Sequence, residues 1–276
     1  MIHLKSAREI DLLRASADLV SRTLAEVGRH VRPGVTTAHL DQVAEAFIRS
    51  RGARPSFKGY RMGGRGTPFP GAICASVNDV VVHGIPGPIT LQEGDLIAID
   101  CGVELNGYYG DSAYTFAVGT ISPEAAALCR ITYEALYQGI REAVAGKRVG
   151  DISEAVQRYC ERQGYGVVRD LVGHGIGRNM HEDPQVPNYG RRGEGKKLKE
   201  GLVICIEPMI NRGTHEVSFD DDDGWTVRTL DREPSAHYEH TVVIRRGQPE
   251  ILTTFAYIEE VLDVPPYQLQ HEEVHV

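Results

Sequence analysis

Apolar residues recur three or four positions apart near the start of the chain, at Ile10, Leu13, Ala17, Val20, Leu24 and Val27. That spacing puts them on one face of a long amphipathic helix. Ser6-Ala7-Arg8-Glu9 stands at its start as a capping box, a side-chain acceptor with a Glu three residues on. A second helix is predicted over 37–51, ending near Gly52. Ser122-Pro123-Glu124 opens a third, with a cap, a proline in the first turn and an acid suited to the helix dipole. This helix runs to about residue 145, and a fourth covers 151–163 and stops at Gly164.

Elsewhere the pattern is that of strands. Residues 96–118 read as a β-hairpin: Leu96-Ile97-Ala98-Ile99 runs in, Asn106-Gly107 turns, and Tyr114-Thr115-Phe116-Ala117-Val118 runs out. Asn-Gly suits a type I′ turn, which needs φ > 0 at both central residues. A two-residue loop pairs Leu105 with Tyr108, so Asp111 faces Gly102 and shares a face with Asp100 as its diagonal neighbour. Leu202-Val203-Ile204-Cys205-Ile206 reads as a buried strand ending at Glu207-Pro208, and 236–244 as a further strand carrying Glu239. Gly173-His174-Gly175-Ile176-Gly177 reads as a glycine-flanked loop.

The helices hint at a duplication. With Gly52 aligned to Gly164, Leu40 matches Ile152, Ala44 matches Val156 and Phe47 matches Tyr159. Each copy would be a long helix, a shorter helix, then carboxylate-bearing strands, although two generic amphipathic helices could give the same match. Two such halves facing each other would build one central site from both.

Composition narrows the class. A chain of 276 residues, 41% hydrophobic and 7% aromatic, can build one α/β domain with a largely aliphatic core. A net charge of −8 offers no global basic field for nucleic acid. Five cysteines, Cys74, Cys101, Cys129, Cys160 and Cys205, lack CxxC spacing and suit a reducing compartment. The N-terminus has no long apolar core of a signal peptide, and no 18-residue apolar run occurs. The expectation is a soluble, cytoplasmic protein.

The candidate chemistry lies in Asp100, Asp111, His174, Glu207 and Glu239. Four carboxylates and one imidazole form an oxygen/nitrogen set with enough negative charge for two divalent cations. Diagonal strand positions lie about 7–8 Å apart at the backbone, a span two carboxylates can close around ions about 3.5–4 Å apart. The plainer alternative, two solvated aspartates on a hairpin, is opposed by Asp100 ending an apolar run, where an unpaired carboxylate is costly.

Val82-His83-Gly84-Ile85-Pro86, Asp100-Cys101-Gly102 with Gly110-Asp111, Gly173-His174-Gly175-Ile176-Gly177, His181-Glu182, Ile206-Glu207-Pro208 and Tyr238-Glu239-His240-Thr241 together resemble type I methionine aminopeptidases. The similarity runs in order from about residue 3 to 255. It implies the α/β (α+β) pita-bread fold, with pseudo-twofold-related halves, a central antiparallel sheet and helices on the outer face. The halves would span about 1–120 and 121–262 of a single catalytic domain, followed by a tail over 263–276 that reads as flexible. By position, the resemblance makes Asp100 a ligand of one divalent metal and Asp111 and Glu239 bridges, with His174 and Glu207 completing the second. The metal is open among Co, Mn, Fe(II) and Zn.

The same resemblance makes His83 and His181 substrate-contacting residues and places Tyr60, Phe69, Cys74, Met180 and Trp225 on or near the methionine side-chain pocket. Asn78, Val80 and Ser235 fall where some members hold a structural monovalent cation. The implied reaction removes the initiator methionine from nascent proteins when the second residue is small, by attack on the first peptide bond of a water activated between two cations. Glu207 would serve as general base and then acid, and His181 and His83 would stabilise the oxyanion or orient the amide. Implied partners are the N-terminal Met of nascent polypeptides and a transient ribosome contact, with no specific nucleic acid or membrane, for a monomer.

Two departures stand out: the Gly-rich segment from Arg61 to Pro68, longer than in many bacterial relatives, and the tail with His271 and His275. The basic run from Arg191 to Lys199 and the acidic run Asp220-Asp221-Asp222-Asp223 read as solvated loops. The rival readings are a prolidase or aminopeptidase P on the same fold, and a non-catalytic binding protein that kept the fold.

Overall fold

The computed structural model describes residues 2–61 and 66–269. Two helices, α1 (Ala7–Gly28) and α2 (Thr37–Ser50), precede the first strands, and two more, α3 (Pro123–Glu142) and α4 (Val149–Glu161), precede the second set. The capping box forms as read: Glu9 N–H donates to Ser6 Oγ, and Ser6 N–H to Glu9 Oε2 at 2.9 Å. Ser122 caps α3.

The hairpin also has the expected register. Leu96–Leu105 pairs with Tyr108–Ala117, Gly102 lies opposite Asp111, and Asp100 lies opposite Ala113. Asn106 and Gly107 take φ values of 55° and 78°, as a type I′ turn requires. Ile73–Val77 adds to the other edge of Leu96–Leu105 and places Cys74 opposite Asp100.

Two strands of the second half differ from expectation. The run over 236–244 is broken: Ser235–His237 and His240–Val243 are separate strands with Tyr238 and Glu239 between them. Opposite them, Val203–Ile206 and Met209–Asn211 are separated by Glu207 and Pro208, with Met209 facing His237 and Ile206 facing His240. Pro208 has no N–H to give to the ladder. The pairing therefore opens at that point on both strands, and the opening holds Glu207 and Glu239.

The glycine-flanked segment is not a loop but a short strand, Gly173–Gly175, paired with Glu182–Val186 and with Val203–Ile206. A Cβ at Gly173 would lie 2.4 Å from the Cys205 carbonyl oxygen, and one at Gly175 would lie 2.3 Å from that of Asp183. The glycines serve close strand approach rather than loop freedom.

Side-chain hydroxyls join the hairpin to the Ser235–Val243 region. Ser112 Oγ donates to Glu239 O at 2.7 Å, Thr115 Oγ1 to His237 O at 2.9 Å, and Thr241 Oγ1 to Asp111 O at 2.8 Å. The Glu239 N–H donates to Ala113 O at 2.9 Å. Val20, Leu24 and Val27 of α1 share one core with Ile97, Tyr114 and Phe116 of the hairpin, and with Leu128 and Leu136 of α3. Helix α1 lies so close to the sheet that a Cβ at Gly110 would meet Ser16 C at 2.6 Å. Gly110→Ala is accordingly expected to destabilise the protein by about 1–3 kcal/mol through overpacking. Urea unfolding of the variant would show this, and an unchanged midpoint would contradict it.

The tail expected to be flexible is packed where it begins. Pro266–Gln268 forms a 3₁₀ turn, and Tyr267 stacks on Tyr133 with ring centroids 3.7 Å apart. Buried Pro266, the Tyr267 ring and Leu269, which packs against the main core, hold this segment down. His271 and His275 lie outside the described residues.

Candidate active site

A cavity of about 890 Å³ opens between the hairpin and the second-half strands, and all five candidate ligands line it. Asp100 and Asp111 reach it as diagonal neighbours on one face of the hairpin, while Glu207 and Glu239 reach it from the facing strand breaks. His174 Nε2 lies 3.6 Å from Asp111 Oδ2 and 3.7 Å from Glu207 Oε1. Ligand atoms of Asp111, His174, Glu239 and Cys205 all fall within 4.8 Å of one another. Cys205 was not anticipated, because in sequence it is one apolar residue of a buried strand. Burial and the neighbouring Glu239 raise its pKa well above the ordinary thiol value, so it remains a thiol.

Without cations the cluster is electrostatically poor. Burial raises all four carboxyl pKa values well above the ordinary range; Asp111 adds to the rise at Asp100, and the other carboxylates add to it at Glu207 and Glu239. Asp100 Oδ1, Asp111 Oδ1 and Glu239 Oε1 are buried with no hydrogen-bond partner among the described residues. Each such orphan costs about 1–3 kcal/mol, and more when charged. Burial lowers the His174 pKa to about 4. His174 Nδ1 is 2.9 Å from Gly175 O, a carbonyl that can only accept, so the ring proton sits on Nδ1. The Nε2 lone pair is therefore free towards the carboxylates, as a metal ligand requires. Orphaned hard oxygens and one such nitrogen fit divalent cations.

The histidines named as substrate contacts also line the cavity. Burial lowers His83 to about 4 and His181 to about 3, each helped by a neighbouring histidine, so both are neutral at pH 7. Phe69, Cys74, Met180 and Trp225 form a separate apolar cluster with Phe57, and Tyr60 packs against it. Phe57 went unnoticed in the sequence, where it is one aromatic among loop residues. A Cβ at Gly102 would strike Met180 Cε at 2.7 Å and Phe57 Cε1 at 2.9 Å, so the bare glycine leaves the cluster its space.

Two ion-bearing segments support this wall. The acidic run makes a turn in which Asp223 Oδ1 accepts from the backbone N–H groups of Trp225 and Thr226 at 2.7 and 2.8 Å, while the indole Nε1–H donates to Thr67 O at 3.0 Å. Buried Lys5 donates to Glu182 Oε2 at 2.6 Å, and Glu182 Oε1 accepts from Asn179 N–H at 3.1 Å. The start of the chain thus holds the turn that carries Met180 and His181.

His237 was missed entirely. It is buried, its Nε2 is 3.7 Å from Glu207 Oε2, and neither ring nitrogen has a hydrogen-bond partner among the described residues. The other group named from the sequence is partly assembled: Ser235 N–H donates to Asn78 O at 2.9 Å, and Val80 lies two residues on, paired with Arg228. The Asn78 side chain is itself committed to Asp95 and to the Leu96 N–H.

The chain is similar over most of its length to known proteins. The model of metallopeptidase family M24 matches residues 11–246. A methionine aminopeptidase of Clostridium perfringens is 52% identical over 253 residues, covering 92% of this chain and 99% of the relative. The crystal structure of methionine aminopeptidase from Rickettsia prowazekii superposes with a TM-score of 0.89 at 40% identity, covering 92% of this chain and all of that one. The prolidase of Pyrococcus horikoshii OT3 shares the fold alone, with a TM-score of 0.73 at 21% identity over 91% of this chain and 63% of its own.

Proposed function

Since the chain belongs to metallopeptidase family M24, and within it to the methionine aminopeptidases, we propose that it removes the N-terminal methionine of new polypeptides whose second residue is small. The observation that carries this is one cavity holding both the carboxylate–imidazole cluster and an apolar pocket. Asp100, Asp111, His174, Glu207 and Glu239 would hold two divalent cations, drawn from Co, Mn, Fe(II) or Zn. Bound there, the cations supply Lewis acidity, as is general for two-metal aminopeptidases.

The chain's own groups do the rest. Glu207 takes a proton from the attacking water and returns it to the leaving amine nitrogen. His181 and His83, neutral at pH 7, donate to the amide oxygen as negative charge develops on it. Tyr60, Phe69, Cys74, Met180 and Trp225 accept the methionine side chain, whose polarisable thioether suits aromatic and sulfur-containing walls.

The proposal includes a structural monovalent cation near Asn78, Val80 and Ser235, a monomer, and transient ribosome contact. It also includes a cytoplasmic site of action. No helix among the described residues is long and apolar enough to cross a membrane, and five buried free cysteines suit a reducing compartment.

The test is a peptide set, Met-Ala-Ser, Met-Lys-Ser, Leu-Ala-Ser and Ala-Pro-Ser, given to protein stripped and reloaded with each metal. Metal-dependent release of Met from Met-Ala-Ser alone is expected. Cleavage of Ala-Pro-Ser instead would move the protein to the proline-directed branch, and no turnover with any metal would favour a binding protein.

A further inference from the structure

His174 and His181 sit with ring centroids 4.3 Å apart, yet their protons are set in opposite ways. The Gly175 carbonyl forces the proton of His174 onto Nδ1, which frees Nε2 as an acceptor. On His181 the partner of Nδ1 is the Tyr60 hydroxyl, 2.7 Å away. A phenol can donate as well as accept, so the direction has to be argued. Burial raises the Tyr60 pKa, so its proton is present at pH 7. The phenol O–H is a good donor and the lone pair of a neutral imidazole nitrogen a far better acceptor than a phenol oxygen, so the short contact is best made with the O–H pointing at Nδ1. Tyr60 itself is well fixed: its N–H donates to Phe57 O and its carbonyl accepts from Phe69 N–H, both at 2.8 Å.

We propose that Tyr60 is a positioning residue that donates its hydroxyl proton to His181 Nδ1 and so holds His181 as the Nε2–H tautomer. The nitrogen left for a bound peptide is then a donor, as a developing oxyanion needs. It is also barred from acting as a stray ligand beside the carboxylate cluster, because its lone pair is used up by the proton. Tyr60 has this role in addition to lining the apolar pocket. The catalytic consequence rests on the function proposed above, but the tautomer itself does not.

The experiment is a long-range ¹H–¹⁵N correlation on zinc-loaded protein labelled with ¹⁵N-histidine, with His181→Gln to assign the resonances. A neutral His181 protonated at Nε2 is expected in the unaltered protein, and a mixture or the reverse tautomer in Tyr60→Phe. In parallel, Tyr60→Phe keeps the ring wall and should lower kcat on Met-Ala-Ser about tenfold, part of the about 10²–10³-fold carried by one oxyanion donor, with KM changed less than twofold. An Nδ1–H tautomer in the unaltered protein would overturn the proposal, as would an unchanged tautomer in Tyr60→Phe. If the unaltered protein shows Nε2–H but releases no methionine from any peptide, the failure lies with the proposed function and not with Tyr60.

Discussion

Glu207→Gln is expected to lower kcat for Met-Ala-Ser by about 10²- to 10⁴-fold, the range carried by a positioned general base, with a much smaller change in KM. The variant keeps the volume and the strand break, and Asn188 Nδ2 would still donate to the residue 207 carbonyl, as it does at 2.8 Å in the native chain. What is lost is a carboxylate able to take a proton, 3.7 Å from His174 Nε2. The amide is also a weaker, uncharged ligand, so metal content has to be counted beside the rate. Native mass spectrometry showing two ions bound with kcat still collapsed would assign the loss to proton transfer. A kcat within tenfold of the native value would remove Glu207 from the role of base.

The second large effect concerns stability. Stripping divalent cations is expected to lower the melting temperature by about 10 °C, and by more at pH 8 than at pH 5. Cations at 10²–10³ times their Kd add about 2.7–4.1 kcal/mol, and a domain of this size shifts about 2–4 °C per kcal/mol. The pH dependence follows from the raised carboxyl pKa values of the metal-free cluster. Unfolded carboxyls titrate at about 4, so above that pH the metal-free native state holds protons that the unfolded chain has released. The cluster's contribution to the stability of the metal-free protein then falls as pH rises through the folded values. Metal binding runs the other way, because the ligands must be deprotonated to bind. The two melting curves therefore diverge with pH. The buried neutral histidines His83, His174 and His181 push the other way, adding stability as pH rises towards the unfolded histidine value, but they do so in both forms. The gap between the two melting curves is therefore the readout, and a gap that stayed constant or narrowed from pH 5 to pH 8 would refute the account.

How much of this could be read from the sequence depended on whether the deciding contact was local. The capping box and the Asn106-Gly107 turn are set by residues within a few positions of each other, and the turn carried the Asp100–Asp111 placement with it. The break at Tyr238-Glu239 was not legible, because its cause is Pro208 on a different strand, thirty residues earlier. The reading of Gly173–Gly175 as a loop failed for a similar reason: glycine signals either backbone freedom or close approach, and only the Cys205 and Asp183 carbonyls decide between them. The family resemblance named residues that the structure gathers into one apolar cluster, a grouping that spacing alone could not predict. It had no signal for His237, for the Lys5–Glu182 pair or for Cys205, whose significance comes from neighbours distant along the chain.

The hydroxyl bonds between the hairpin and the Ser235–Val243 region set a schedule for the newborn enzyme. Thr241 and Asp111, joined through one of them, are 130 residues apart in the chain. At about 5–20 residues per second, the first aspartates leave the ribosome roughly ten seconds before their partners. During that interval the hairpin has no carbonyl at 237 or 239 to receive Ser112 and Thr115, and no second set of acids to complete a cation site. A stall or early stop before Glu207 and Glu239 would release a chain that holds the first aspartates without the second set of acids, and so cannot cut.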